Sequence, residues 1–158
     1  IPEDSSAVHG ILDEHVESKP FFADVCDEII EKLEGAIPAA YNASFDREFL
    51  LAELQRLHRH DLRDVPAIRD RDVWIDPLVC ARHLFQEEKS RKLSAMAELL
   101  GVEMERPHRA TDDASAAFRL MYKMAEQNSV PSAYGEFIQE QVRLSRIQGE
   151  ARSGWCRS

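Results

Sequence analysis

Ala36-Ile37-Pro38-Ala39-Ala40-Tyr41-Asn42-Ala43-Ser44-Phe45-Asp46 is the stretch from which the fold is read. The apolar run over 36–41 predicts a strand. Pro38 has no N–H to give a ladder, which assigns that strand to an edge or an end. Asn42-Ala43-Ser44 makes a turn, with Ser44 as the N-cap. The helix it opens runs over about 45–58 and packs through Phe45, Phe49, Leu50, Leu54 and Leu57. A polar, arginine-rich loop over 58–71 leads to a second strand, Val73-Trp74-Ile75. Asp76 then caps a helix begun by Pro77, a residue well suited to the first helical position. Strand, helix, strand, helix implies a parallel pair with a right-handed crossover, an α/β arrangement. Two strands make a poor sheet, because three or more are normally needed.

Working outward, residues 1–19 read as loop, with a tight apolar turn at Val8-His9-Gly10-Ile11 and a short helical piece near Asp13–Glu17. A helix from Pro20 to about Glu34 carries Phe21, Phe22, Val25, Ile29 and Leu33 on one side, and Gly35 ends it. Downstream, Leu93–Leu100 is a helix stopped by Gly101. Another runs from Thr111 to about Gln127, and Val130-Pro131 breaks the chain before an amphipathic helix over 132–147 and a loose tail. The expected division is a domain over 1–128 and a C-terminal helix with tail over 129–158.

At 158 residues the chain is one domain's worth of sequence, and its net charge of −9 excludes a blanket of positive charge. The odd, widely spaced cysteines Cys26, Cys80 and Cys156 read as reduced thiols of an intracellular, cytoplasmic protein. No apolar run approaches the length of a membrane span, so no membrane partner is expected.

The chemistry centres on Pro107-His108-Arg109-Ala110-Thr111-Asp112-Asp113-Ala114. Thr111 is a good N-cap, and acids directly after it suit the positive end of a helix. Asp113 shares a face with Ala117 and Leu120 and so points toward packed structure, whereas Asp112 faces water. An inward carboxylate must be hydrogen-bonded, neutralised or holding a cation. Asp46 lies just past the carboxyl end of the first strand, where ligands of α/β sheets gather. Two carboxylates brought together repel unless a cation sits between them, and hard dications such as Mg²⁺ accept them while keeping water. His108 then stands as the base for a metal-bound water, a phosphodiester-hydrolysing arrangement.

Several of these motifs, in order, resemble the DEDDh 3′–5′ exonucleases. Tyr41-Asn42-Ala43-Ser44-Phe45-Asp46-Arg47-Glu48-Phe49-Leu50 looks like their second motif, and His108-Arg109-Ala110-Thr111-Asp112-Asp113-Ala114 like their third. Val8-His9-Gly10-Ile11, Ile75-Asp76-Pro77-Leu78 and Lys92-Leu93-Ser94 match further signposts over roughly residues 1–125. The resemblance is closest to the proofreading epsilon subunit of bacterial DNA polymerase III and its stand-alone relatives. It implies a ribonuclease H-like fold, a mixed sheet flanked by helices. It also implies two Mg²⁺ or Mn²⁺ ions about 4 Å apart, with Asp46 and Asp113 as metal-site carboxylates and His108 as general base. His9 and Asn42 would contact a nucleic-acid 3′ end, single-stranded DNA above all, and a DNA polymerase subunit is the implied protein partner.

The family's first motif, Asp-x-Glu on the first strand, has no match here, since Glu3-Asp4 has the wrong spacing and context. We therefore expect the N-terminal strands to be missing, a segment of about 30 residues or more, and activity impaired if the chain truly starts at Ile1. A non-catalytic nucleic-acid or polymerase-binding module is the competing reading. His58-Arg59-His60-Asp61 suggests an HD-type phosphohydrolase dyad, but falls at a helix end entering a polar loop and reads as solvated surface. Lys89, Arg91 and Lys92 could touch a nucleic-acid backbone, although such charge runs are more often solvated loops.

Overall fold

The computed structural model describes residues 1–59, 61–104, 109–127 and 130–155, without the side chains of 61, 63, 71 and 150–155. Nine α-helices and two 3₁₀ turns are found among them. In chain order the helices are α1 (Glu3–His9), α2 (Asp13–Val16), α3 (Phe22–Leu33) and α4 (Ala43–Arg56). After them come α5 (Pro66–Arg69), α6 (Pro77–Leu84), α7 (Leu93–Leu99), α8 (Ala110–Ala125) and α9 (Tyr134–Trp155).

The α/β sheet expected from the two apolar runs does not form among the described residues. The runs do meet, and in parallel, but only as an isolated bridge between Ala39 and Ile75. Ala40 N–H donates to Ile75 O at 3.1 Å and Ile75 N–H to Pro38 O at 2.9 Å. Two short segments hold too few ladder bonds to propagate a sheet. The other edge of the 73–76 segment is closed by side chains of α9 instead of by a third strand. Tyr134 Oη donates to Val73 O at 3.2 Å, and Gln141 Nε2 donates to Trp74 O at 2.8 Å. Gln141 Oε1 accepts the Asp76 N–H at 2.7 Å. Gln148 Nε2, one further heptad along, donates to Val79 O at 3.0 Å. Residues at seven-residue spacing share a helix face, so one stripe of α9 satisfies the free edge of the 73–76 segment and reaches on to a carbonyl of α6.

Two hydrophobic clusters flank this bridge. Cys26 and Ile30 of α3, Ala43 and Leu54 of α4, Val65, Ala67 and Trp74 form one. Cys80 and Ala81 of α6, Met96 and Ala97 of α7, Val102, and Ala116, Leu120 and Met124 of α8 form the other. The buried stripe of α3 is therefore Cys26 and Ile30, one position on from the expected face, and Phe21 is exposed. On α4, Leu54 is buried as expected, but Phe45 and Phe49 are each 60% exposed and stack against one another at 5.6 Å between centroids. Two helix starts also differ. Asn42, at φ 71°, precedes α4 in place of Ser44, and Arg109 precedes α8 in place of Thr111. The first nineteen residues, expected as loop with one short helical piece, hold α1 as well as α2. Gly10 ends α1 at φ 68°, a left-handed conformation that glycine adopts without penalty. Helix α9 runs to Trp155, past the expected end near Ile147 and into the tail expected to be loose.

Candidate functional site

The bridge brings the start of α4 against the start of α6, and the Asp76 carboxylate holds both. Its Oδ1 accepts from Leu78 N–H at 3.0 Å, capping its own helix as the sequence predicts. The same oxygen accepts from Asn42 N–H at 2.9 Å, and Oδ2 accepts from Ala43 N–H at 3.2 Å. Helix α4 has no cap from its own side chains, so an acid 33 residues away does the work. Burial raises the Asp76 pKa, against three backbone N–H bonds and Arg82, which favour the charged form.

Asn42 and Asp46 are thereby placed one helical turn apart at the positive end of α4. The Asn42 side chain is exposed, and its left-handed backbone is one that asparagine tolerates better than most residues. Asp46 also reaches solvent, yet protein mass around its carboxyl raises the pKa despite a hydrogen bond from its own N–H. A partly desolvated carboxylate at this place suits a hard dication, whose remaining positions water or phosphate can fill.

Asp113 is half-buried in the first turn of α8, on the face of the buried Ala117 and Leu120. Helix α8 packs on α6 and α7. His9 ends α1, and its Nδ1 accepts the Ile11 N–H at 3.0 Å. That bond leaves Nε2 to carry the proton of the neutral ring, a donor for a neighbouring oxygen. His108, the expected general base, lies outside the described residues, as does His60 of the HD-like dyad. The described residues contain no group of three or more His, Cys, Asp or Glu able to hold a metal. They also contain no helix long and apolar enough to cross a membrane.

A cavity of about 330 Å³ opens beside this junction, with Asn42, Ser44, Asp76, Arg82, Gln141 and Arg146 in its wall. A second, of about 560 Å³, lies on the other side of Asn42 against Tyr41, Arg82 and Lys92. Tyr41 Oη donates to Arg91 O at 2.6 Å, and burial raises the phenol pKa, so the ring stays a neutral donor. Sequence reasoning did not single out Arg82 or Gln141. Arg82 carries no motif signal. Gln141, by contrast, falls in register with Tyr134 and Gln148 among the inward residues Phe137 and Leu144 of α9, a polar stripe where apolar residues would be expected.

A family model described as exonuclease, RNase_T, matches residues 1–121. The chain belongs to this exonuclease family. It is 30% identical over 118 residues to a PolC-type DNA polymerase III of Caldanaerobacter subterraneus, covering 75% of this chain and 8% of that protein. The 3′-5′ exonuclease DinG of Staphylococcus saprophyticus is 28% identical over 121 residues, covering 77% and 13%. The PolC-type DNA polymerase III of Streptococcus pneumoniae is 33% identical over 125 residues, covering 77% and 8%. The match spans only a small part of each of these relatives. The family is one of exonucleases, whose members generally work with divalent metal ions.

Proposed function

We propose that this chain is a metal-dependent 3′–5′ exonuclease that hydrolyses the terminal phosphodiester bond of single-stranded DNA in the cytoplasm, as a proofreading activity. The observation that carries the reading is the matched placement of Asp46 and Asp113. Each stands in the first turn of its helix, α4 and α8, in a chain of the exonuclease family. These two carboxylates would hold two Mg²⁺ or Mn²⁺ ions. Such ions, when bound, stabilise the charge that develops on the phosphate and lower the pKa of bound water.

The protein's own groups have separate tasks in this mechanism. Asn42 presents an exposed amide beside the site, and His9 offers its Nε2–H to the terminal nucleotide. His108 takes the proton as water oxygen attacks phosphorus. The bond from phosphorus to the leaving 3′ oxygen breaks, releasing a nucleotide and a strand shorter by one residue. The PolC-type relatives support a DNA polymerase subunit as a partner.

The test is release of a 3′ label from single-stranded DNA with and without EDTA. Activity should require the metal and should disappear in Asp113→Asn. Metal-independent cleavage, or full activity in that variant, would defeat the mechanism. A second reading is a nucleic-acid or polymerase-binding module without catalysis, since no Asp-x-Glu like the family's first motif is matched in this sequence. It predicts strand binding with no metal-stimulated release of label.

A further inference from the structure

The chain is acidic overall, at −9, yet every charged residue lining the groove of about 560 Å³ next to Asn42 is cationic. Its walls are Tyr41, Asn42, Leu78, Arg82, Arg91, Lys92 and Leu93, with no carboxylate among them. The volume falls within the usual range of ligand clefts, about 300–1,000 Å³. Arg91 is preorganised. Its Nε donates to Phe85 O at 3.1 Å, its Nη2 donates to Gln86 O, and its own carbonyl accepts from Tyr41 Oη. Arg82 is half-buried, and its guanidinium has no hydrogen-bonded or ion-paired partner among the described residues. The nearby Asp76 does not neutralise it through a salt bridge, because that carboxylate is spent on three backbone N–H groups. The Lys92 side chain is exposed and likewise unpaired among the described residues. Asp76 acts on Arg82 electrostatically but makes no hydrogen bond to it, so the guanidinium donors stay available to a phosphate.

We propose that this groove holds the sugar-phosphate backbone of the single strand whose 3′ end lies at Asp46. Arg82 and Lys92 would contact successive phosphates, and Leu78, Leu93 and the Tyr41 ring would form an apolar floor for sugars and bases. The placement rests on the nuclease reading, since Asn42 joins the groove to the first turn of α4. Phosphate contacts of this kind position a strand without reading its sequence.

Binding is measured by fluorescence anisotropy of labelled oligo(dT) on the full chain in EDTA, so that no cleavage enters the readout. At about 0.1 M salt each lost single-strand phosphate contact should weaken binding about fivefold, or about 25-fold for Arg82→Ala with Lys92→Ala. The slope of log affinity against log salt should fall by about 1.4 in magnitude in the double variant. Lys32→Ala, which removes a cation paired with Glu28 on α3, should leave both quantities unchanged. Unaltered affinity and slope in the double variant, with a native circular dichroism spectrum, would overturn the groove and leave the nuclease proposal standing. Weakened binding in a chain that never releases a 3′ label would support the groove and defeat the nuclease proposal. A wild-type chain with no measurable affinity for oligo(dT) at low salt would also overturn it.

Discussion

Replacing Gln141 by leucine should destabilise the protein markedly, although it adds apolar surface to a buried position of α9. The side chain is 6% exposed, and its amide makes two bonds to the 74–76 segment, from Asp76 N–H at 2.7 Å and to Trp74 O at 2.8 Å. Leucine is of similar volume, so a cavity is not the main effect. What is lost is the partner of two backbone groups, and each orphaned buried group costs about 1–3 kcal/mol. Allowing for the apolar burial leucine adds, the expected loss is about 2–4 kcal/mol. That is a large share of a total near 5–15 kcal/mol. With a urea m-value of about 2 kcal/mol/M, the midpoint should fall by about 1–2 M. Gln139→Leu, at an exposed position of the same helix, should move stability by less than about 0.5 kcal/mol. If Gln141→Leu unfolded within about 0.5 kcal/mol of wild type, Gln141 could not be what closes that edge.

Other expectations can be checked on the same protein. Burial raises the Asp76 pKa above 3.8, so the folded state binds this proton more tightly than the unfolded one, and its contribution is lost as pH rises through the folded value. Asp76→Asn should therefore lose less stability than wild type as pH rises from about 4 toward neutrality, read from urea midpoints across that range; an identical pH profile would refute the assignment. Cys80, whose thiol burial pushes up to about 11, should resist alkylation in the native protein near neutral pH, where about 1 in 10⁴ molecules carries thiolate. Rapid native labelling of the Cys80 peptide by mass spectrometry would contradict it. Trp74→Phe removes the indole donor that reaches Ala67 O at 2.8 Å inside the α3–α4 cluster. The expected cost is about 1–3 kcal/mol in thermal or urea unfolding, and a neutral result would mean that the carbonyl finds another donor.

The parts of the fold legible in the sequence were those set by local chemistry. Pro77 after Asp76 marked the start of α6, and the Asp76 cap formed as expected. Gly35 and Gly101, at φ 74° and 65°, follow α3 and α7 where the pattern stops. The parallel pairing of the two apolar runs was also legible, down to Ile75, but the sheet was not. A sheet depends on how many strands are available and on who pairs each edge, and no local pattern reports that. The starts of α4 and α8 were misread for a related reason. Serine and threonine are strong caps in general, but the α4 amides are satisfied by Asp76 through a contact across 33 and 34 positions. The packing expected of Phe45 and Phe49 on α4 failed because periodicity identifies a stripe without saying what will cover it.

Asp76 was set aside from the candidate site as a mere helix cap, and the structure gives that modest role more reach. The carboxylate that starts α6 also fixes where α4 begins, one turn before Asp46, and its own N–H is held by Gln141 from α9. Any displacement of α9 would therefore reach Asp46 through two hydrogen-bonded steps, with no change at Asp46 itself. Coupling of this kind travels through a rigid polar junction, and buried networks lose more than the sum of their parts when one member is removed. The last helix is thus tied to the placement of the proposed catalytic carboxylate, although the exonuclease family match ends at residue 121, before α9 begins.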